Sequence, residues 1–163
     1  MIAVSNTTPL RYLIAIRQEQ LLSQLFERIL LPPAVQTELL DPKAPDIVRN
    51  FVKSLPPRFE VKAPDGGRGP LPAALHRGER EAILLAETVQ ADALLIDEQF
   101  GRSVAFSRSL PVIGTLGLLE RADLVGIIPD FPQTLRELKS SGFYISQLLE
   151  QSLLTRHATR DSK

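Results

Sequence analysis

Four oxygen-bearing side chains of this 163-residue chain lie beside apolar segments and could together bind a divalent metal ion. Asn6 follows the first apolar run of the sequence, and Asp97 ends a later one. Glu38 and Glu79 lie on helical patterns, next to the apolar stripe of each helix. Amide and carboxylate oxygens are the ligands that hard cations such as Mg²⁺ or Mn²⁺ take in proteins. The set therefore predicts a site in which bound metal activates water and stabilises the charge that develops as a phosphodiester breaks.

Glu79 carries the clearest of these signals. It precedes Ala82, Ile83 and Ala86 by three, four and seven residues, which places it on the helix face expected to pack against a sheet. A carboxylate in that position costs free energy unless it is paired, protonated or bound to a cation. Several carboxylates in close proximity also raise each other's pKa. A hard cation would remove both penalties.

Each of the four residues also has an interpretation without a metal. Asn6 could serve only as a turn residue between a strand and a helix. Glu38 could pair with a lysine or arginine. Glu79 is favoured by the dipole in the first turn of its helix, and Asp97 could cap the helix that follows it.

Other polar residues of the same regions are weaker candidates. We interpret Glu81 and Glu98 as solvated surface acids. His76 and His157 lack the spacing of zinc ligands. The glycine-rich segment 66–69 lacks the Lys-Ser/Thr of a phosphate-binding loop, and we interpret it as a flexible flap or a long connection.

The elements that must position these residues alternate between strands and helices. We predict strands at 2–4, 28–31, 59–62, 93–96 and 111–114. We predict helices at 8–14, 21–26, 33–40, 46–54, 78–89, 100–108, 116–124, 135–139 and 145–154, the first with Thr8 as N-cap and Pro9 at its first position. Such alternation indicates a mostly parallel sheet covered on both faces, whose ligands bind at the carboxyl ends of the strands. Residues 63–71 are expected to form a mobile loop.

Composition limits the classes of function. The chain has 19 basic and 19 acidic side chains and no net charge, so any grip on a phosphate backbone must come from a local patch, a metal or a partner. It has no cysteine and no apolar run approaching membrane-spanning length, and its first residues do not resemble a signal peptide. We expect a cytoplasmic protein with one domain over residues 1–155 and a polar, disordered tail over 156–163.

Six blocks of sequence, in order along almost the whole chain, resemble PIN-like proteins of the bacterial and archaeal branch close to VapC-type toxins. The blocks are Val4–Leu10 (VSNTTPL), Leu30–Val35 followed by Glu38, Gly78–Ile83 (GEREAI), Leu94–Glu98 followed by Gly101 and Arg102, Pro111–Thr115 (PVIGT) and Gly142–Ser146 (GFYIS). Each block by itself is weak evidence for the family, whereas six blocks in the same order are fairly specific.

The resemblance implies an α/β fold, a three-layer α/β/α sandwich with a mostly parallel sheet of about five strands. It implies RNA cleavage that depends on Mg²⁺ or Mn²⁺, with Asn6, Glu38, Glu79 and Asp97 at the acidic positions. Glu81 would replace Glu79 if the helix register were shifted. It also implies a toxin that forms a homodimer and is silenced by a small antitoxin protein, with no membrane partner.

Asn6 departs from the wider family, in which the first strand usually ends in Asp. An amide oxygen can bind a hard metal but brings no negative charge, which weakens the metal site. The alternative function is therefore a catalytically weak or inactive PIN-like module that acts through protein or RNA binding. Asn6 also argues against a domain phosphorylated on aspartate, because an amide cannot form an aspartyl phosphate.

Four further residues could support the site. Thr7 and Thr8 offer hydroxyl groups to it, although capping of the first helix is the simpler interpretation of Thr8. Arg11 and Arg102 could each reach a phosphate, or could equally be solvated or paired arginines of the surface.

Overall fold

Five parallel strands form the centre of the computed structural model, which describes residues 1–66 and 69–161. Gly67 and Arg68 of the predicted loop, and Ser162 and Lys163 of the predicted tail, lie outside the described residues. The elements are β1 (Ile2–Ser5), α1 (Thr7–Ala15), α2 (Gln20–Leu25), β2 (Arg28–Leu31), α3 (Pro33–Leu39), α4 (Asp46–Lys53), β3 (Phe59–Val61), α5 (Arg77–Val89), β4 (Ala93–Leu95), α6 (Gln99–Ser107), β5 (Val112–Ile113), α7 (Thr115–Leu124), α8 (Phe131–Ser140) and α9 (Gln147–Asp161).

The strand order is β3-β2-β1-β4-β5, and every neighbouring pair is parallel. The chain builds outward from β1 to β3 on one side and then returns to place β4 and β5 on the other. The order therefore switches between β1 and β4, and the crevice at the carboxyl ends of those two strands is the expected ligand site of such a sheet. Asn6 follows β1 and Asp97 follows β4 at that switch point.

Apolar residues of successive strand positions enter two separate cores, because side chains alternate between the faces of a strand. Ala3 packs in the core that contains residues of α1 to α4 and α7 to α9. Val4 packs in the second core, with Ile83 and Leu85 of α5 and with Val104 of α6. The predicted three-layer α/β/α fold is confirmed.

Two of the predicted features are wrong. Helix α1 begins at Thr7, with Asn6 at the N-cap in an extended conformation (φ −75°, ψ 175°), so Thr8 is not the cap and Pro9 is the third helical residue. The predicted tail is helical as far as Asp161.

Ion pairs with α7 explain why α9 continues to Asp161. Arg156 Nε lies 2.6 Å from Glu120 Oε2, and His157 Nδ1 lies 2.7 Å from Asp123 Oδ2. Arg160 also pairs with Asp123. A polar composition by itself predicts fraying of a chain end, whereas partners more than thirty residues away hold these side chains in place. Among the described residues, no helix combines the length and apolar character that a membrane crossing requires.

Candidate metal centre

A cavity of about 500 Å³ at the carboxyl edge of the sheet contains three of the four predicted ligands. Asn6, Glu38 and Glu79 line it together with the acid Glu98. The remaining lining residues are hydroxyl-bearing or basic: Thr7, Thr8, Arg11, His76 and Arg77. The cavity thus has oxygen donors and cationic groups in one space.

Asn6 is the most deeply placed neutral group of this cavity. Its backbone N–H donates to Leu95 O at 2.9 Å, which joins the end of β1 to β4. The residue is 5% exposed, and its side-chain amide makes no hydrogen bond with any residue that the structure describes. Its carbonyl oxygen is therefore available to a ligand within the cavity.

Glu38 reaches the cavity from α3 and is held by Thr7. The Thr7 hydroxyl donates a short hydrogen bond to Glu38 Oε2. The carboxyl group of Glu38 forms no salt bridge with a described lysine or arginine, so the ion-pair interpretation of this residue is not supported. Thr7 offers its hydroxyl to the site through Glu38.

Glu79 and Glu98 line the cavity as a pair of neighbouring carboxyl groups. Glu79 is 5% exposed, and its Oε1 accepts from the His76 backbone N–H at 3.0 Å, an N-terminal cap of α5. Burial raises the pKa of the Glu79 carboxyl, against that backbone hydrogen bond, and the adjacent Glu98 raises it further. The backbone N–H of Gly101 lowers the pKa of Glu98. The two carboxyl groups therefore repel each other when both are ionised, and a bound cation would remove that repulsion.

Asp97 does not line the cavity that contains the other three predicted ligands. Its Oδ1 accepts from the Thr115 backbone N–H at 2.7 Å, and its Oδ2 from the Thr115 hydroxyl at 2.6 Å. Burial raises the pKa of the Asp97 carboxyl, whereas the two Thr115 hydrogen bonds and the nearby Arg102 charge lower it. Asp97 therefore joins the end of β4 to the first turn of α7. The expectation that Asp97 caps the following helix is wrong, because Glu98 is the N-cap of α6.

Two acids near the site, Glu81 and Glu98, have hydrogen-bonding roles that the sequence interpretation did not include. Glu98 is the N-cap of α6, accepting from Phe100 N at 3.0 Å and Gly101 N at 2.6 Å, and it lines the cavity. Glu81 accepts from Ala34 N at 2.9 Å, at the start of α3. The interpretation of Glu81 as a solvated surface acid is wrong, because its side chain is only 16% exposed. Glu98 is exposed, as expected, but it also lines the cavity. The helix that follows Glu98 within two residues was a capping signal that could have identified it.

Thr115 and His76 were not identified as parts of the site. Thr115 is fully buried and holds both oxygens of Asp97, a role that depends on β4 and α7 meeting in space. His76 lines the cavity at the start of α5. His157, the other histidine, lies at the α7–α9 contact with Asp123.

The basic residues around the cavity differ in their availability. Arg77 pairs with Glu81 at 3.0 Å. Arg11 is exposed on α1 and makes no hydrogen bond or ion pair with a described residue. Arg102 lies near Asp97 and does not line the cavity. Arg11 is thus the basic side chain most open to a phosphate.

The donor set fits a hard divalent cation in kind. The oxygen donors are the free amide of Asn6 and the carboxyl groups of Glu38, Glu79 and Glu98, which is the chemistry that Mg²⁺ and Mn²⁺ prefer. Within residues 1–66 and 69–161, no three histidine, aspartate or glutamate side chains already form a metal-binding cluster. The observation that supports a ligand here is that the amide of Asn6, which has no hydrogen bond to a described residue, lines the same cavity as three carboxyl groups.

Comparison with known proteins identifies the family. A family model described as a PIN domain matches residues 2–159, almost the whole chain. No curated protein and no solved structure gave a match. The five-stranded parallel sheet with helices on both faces agrees with that assignment. The chain therefore belongs to the PIN-domain family.

Proposed function

We propose that this protein is a metal-dependent ribonuclease that cleaves RNA with Mg²⁺ or Mn²⁺. PIN domains are a nuclease-type fold, generally use divalent metals and generally bind RNA. The observation that carries the proposal is the cavity at the strand-order switch, where carboxyl groups and the free amide of Asn6 line one space with the basic side chain of Arg11.

In this proposal, Asn6, Glu38 and Glu79 would hold the cation, and Asp97 at the end of β4 would be the fourth ligand. Bound metal would supply an activated water and charge stabilisation at the scissile phosphate. The chain's own groups prepare the site: Thr7 orients Glu38, and the N-terminal turn of α5 orients Glu79. Arg11 would contact a phosphate of the substrate, because the zero net charge of the chain leaves the grip to local groups.

RNA cleavage by the purified chain, with Mg²⁺, with Mn²⁺ and with chelator, tests the proposal. We expect cleavage only with metal, and loss of cleavage in Glu79→Gln and Asp97→Asn. The matched control is Glu60→Gln, because Glu60 lies on β3 in an exposed pair with Arg28. Metal-independent cleavage, or full activity in both site variants, would refute the assignment.

Two observations favour a second candidate, a catalytically weak or inactive module that binds RNA or protein. Asn6 brings no negative charge, and both oxygens of Asp97 are already hydrogen-bonded to Thr115. Calorimetry with Mn²⁺ separates the candidates. Absence of binding at millimolar Mn²⁺ in wild type, and binding in Asn6→Asp, would assign the weakness to Asn6.

We also propose a cytoplasmic toxin of a toxin–antitoxin pair, acting as a homodimer and silenced by a small antitoxin protein. This part of the proposal depends on the resemblance of the sequence blocks to VapC-type toxins. Expression in a bacterial host should arrest growth, and coexpression of a small protein encoded beside the gene should restore it. Sedimentation equilibrium measures the oligomeric state, and a monomer at micromolar concentration would contradict the dimer.

A further inference from the structure

Glycines of ordinary backbone conformation lie against the acids of the candidate centre. The glycines with a positive φ have open space where a Cβ would stand; they are Gly66, Gly69, Gly126 and Gly142. The remaining described glycines have no left-handed conformation to explain them: Gly78, Gly101, Gly114 and Gly117. All of these except Gly117 lie against a carboxyl group of the site.

Gly78, in the first turn of α5, lies against Glu38. A Cβ at this position would stand 2.7 Å from Glu38 Oε1 and 3.3 Å from Oε2. The three nearest atoms all belong to the Glu38 carboxyl group. A side chain at position 78 would therefore meet this carboxylate first and displace it.

Gly101, in the first turn of α6, lies against the carboxyl pair. A Cβ there would be 3.1 Å from Glu79 Oε2, 3.4 Å from Glu98 Oε2 and 2.7 Å from Ile96 Cδ1. Gly101 also donates its backbone N–H to Glu98. The absence of a side chain lets two carboxyl groups from different helices approach the same backbone.

Gly114, the N-cap of α7, has the same relation to Asp97. A Cβ there would stand 2.9 Å from Asp97 Oδ1 and would overlap Arg102 Nη1. Three glycines on three different elements thus lie against Glu38, Glu79 and Asp97. Alanine is the better residue within a helix, so helix formation does not account for Gly78 or Gly101.

We propose that Gly78, Gly101 and Gly114 are positioning residues whose missing side chains set where the carboxylates of the metal centre lie. The inference rests on the proposed metal-dependent function. It concerns only the placement of the carboxylate ligands, because a glycine has no side chain that could itself bind the metal.

Mn²⁺ affinity and thermal melting of the full chain test the proposal, with free Mn²⁺ followed by electron paramagnetic resonance. We expect Gly78→Ala and Gly101→Ala to bind Mn²⁺ about 10- to 100-fold more weakly, the loss typical when the support of a metal ligand is removed. The melting temperature of Gly78→Ala without metal should be unchanged or raised, because alanine favours the helix. Gly101→Ala should melt lower, because its Cβ would stand 2.7 Å from Cδ1 of the buried Ile96. The matched control is Gly117→Ala in α7, whose Cβ would meet Ile113 Cγ1 at 3.1 Å and no acid.

A second-site variant separates positioning from a general structural effect. Glu38→Asp shortens the carboxylate that the new methyl group displaces, so Gly78→Ala with Glu38→Asp should bind Mn²⁺ more tightly than Gly78→Ala alone. Wild-type affinity in Gly78→Ala, or an equal loss in Gly117→Ala, would overturn the inference while leaving the proposed function intact. Absence of Mn²⁺ binding in wild type would overturn both. Should Gly101→Ala fail to fold, Gly78→Ala decides, because its Cβ meets only the end of one exposed side chain.

Discussion

Replacing Thr115 by valine should destabilise the protein by a predictable amount. Valine keeps the shape of this fully buried side chain and removes only the hydroxyl that donates to Asp97 Oδ2 at 2.6 Å. A hydrogen bond to a charged group contributes about 1.5–3 kcal/mol to the free energy of unfolding. Removal of the donor should cost this whole contribution when the carboxylate finds no other partner. The backbone N–H of Thr115 still donates to Oδ1, so one bond of the two is lost. For a chain of this size the loss corresponds to a fall of roughly 3–12 °C in Tm.

The control for this prediction is Thr134→Val. Thr134 is also buried, but its hydroxyl donates to the neutral backbone oxygen Asp130 O at 3.0 Å. We expect this change to cost about 1 kcal/mol. Urea unfolding of both variants at pH 7, without metal, measures the difference.

The pH dependence gives the same prediction a second test. The Thr115 hydroxyl stabilises the charged form of Asp97, and thereby opposes the raised pKa that burial produces. The loss in Thr115→Val should therefore be largest where Asp97 is ionised and should shrink as pH falls through its folded pKa. A loss no larger than that of Thr134→Val at pH 7, or one independent of pH, would refute the charge-assisted bond.

Three further predictions concern metal, RNA and α9. Burial raises the pKa of Glu79, so ionisation of this carboxyl group destabilises the folded state as pH rises above about 4.5. In the presence of chelator, Glu79→Gln should therefore melt at a higher temperature than wild type at pH 7, but not at pH 4. Mn²⁺ at 100 times its Kd should stabilise wild type by about 2.7 kcal/mol and the variant by less. In filter binding of single-stranded RNA without metal, Arg11→Gln should reduce the slope of log K against log salt by about 0.7, the value for one phosphate contact. The control Arg17→Gln changes an exposed arginine that does not line the cavity, and it should leave the slope unchanged. Arg156 and Arg160 lower the pKa of Glu120, so the ionised Glu120 should stabilise the fold above pH 4.5 and lose this effect as pH falls through its lowered folded pKa. Glu120→Gln should therefore melt below wild type at pH 7 and match it in strong acid. Equal melting temperatures at pH 7 would contradict the pairing.

The alternation of strands and helices was predictable because its signals are local. The period of apolar residues distinguishes strands from helices, and Pro33 at the start of α3 marked a helix start directly. Burial of Glu79 followed from its position on the apolar face of α5. Asn6 at the carboxyl end of β1 followed from the rule for parallel sheets. These inferences need only neighbouring residues and general topology.

The roles of Asp97 and Glu98 were not predictable by the same means. Adjacent residues after a strand point in different directions, and the exit of the chain from β4 decides which of them enters the cavity. In the structure Glu98 caps α6 inside the cavity, whereas Asp97 turns to Thr115, eighteen residues further along the chain. The choice depends on where α7 begins in space, which no local pattern encodes.

The amino-acid sequence by itself thus determined the parallel α/β fold, the burial of Glu79 and the neutral amide at position 6. Only the tertiary structure decided which oxygens share a cavity and which glycines make room for them. Gly78 and Glu38 are forty residues apart in sequence and come within contact only where α3 packs on α5. The helical end of the chain likewise depends on ion pairs between α7 and α9. The physical reason is the same in each case: periodicity reports the face of one element, whereas a site is built from the ends of several elements brought together by packing.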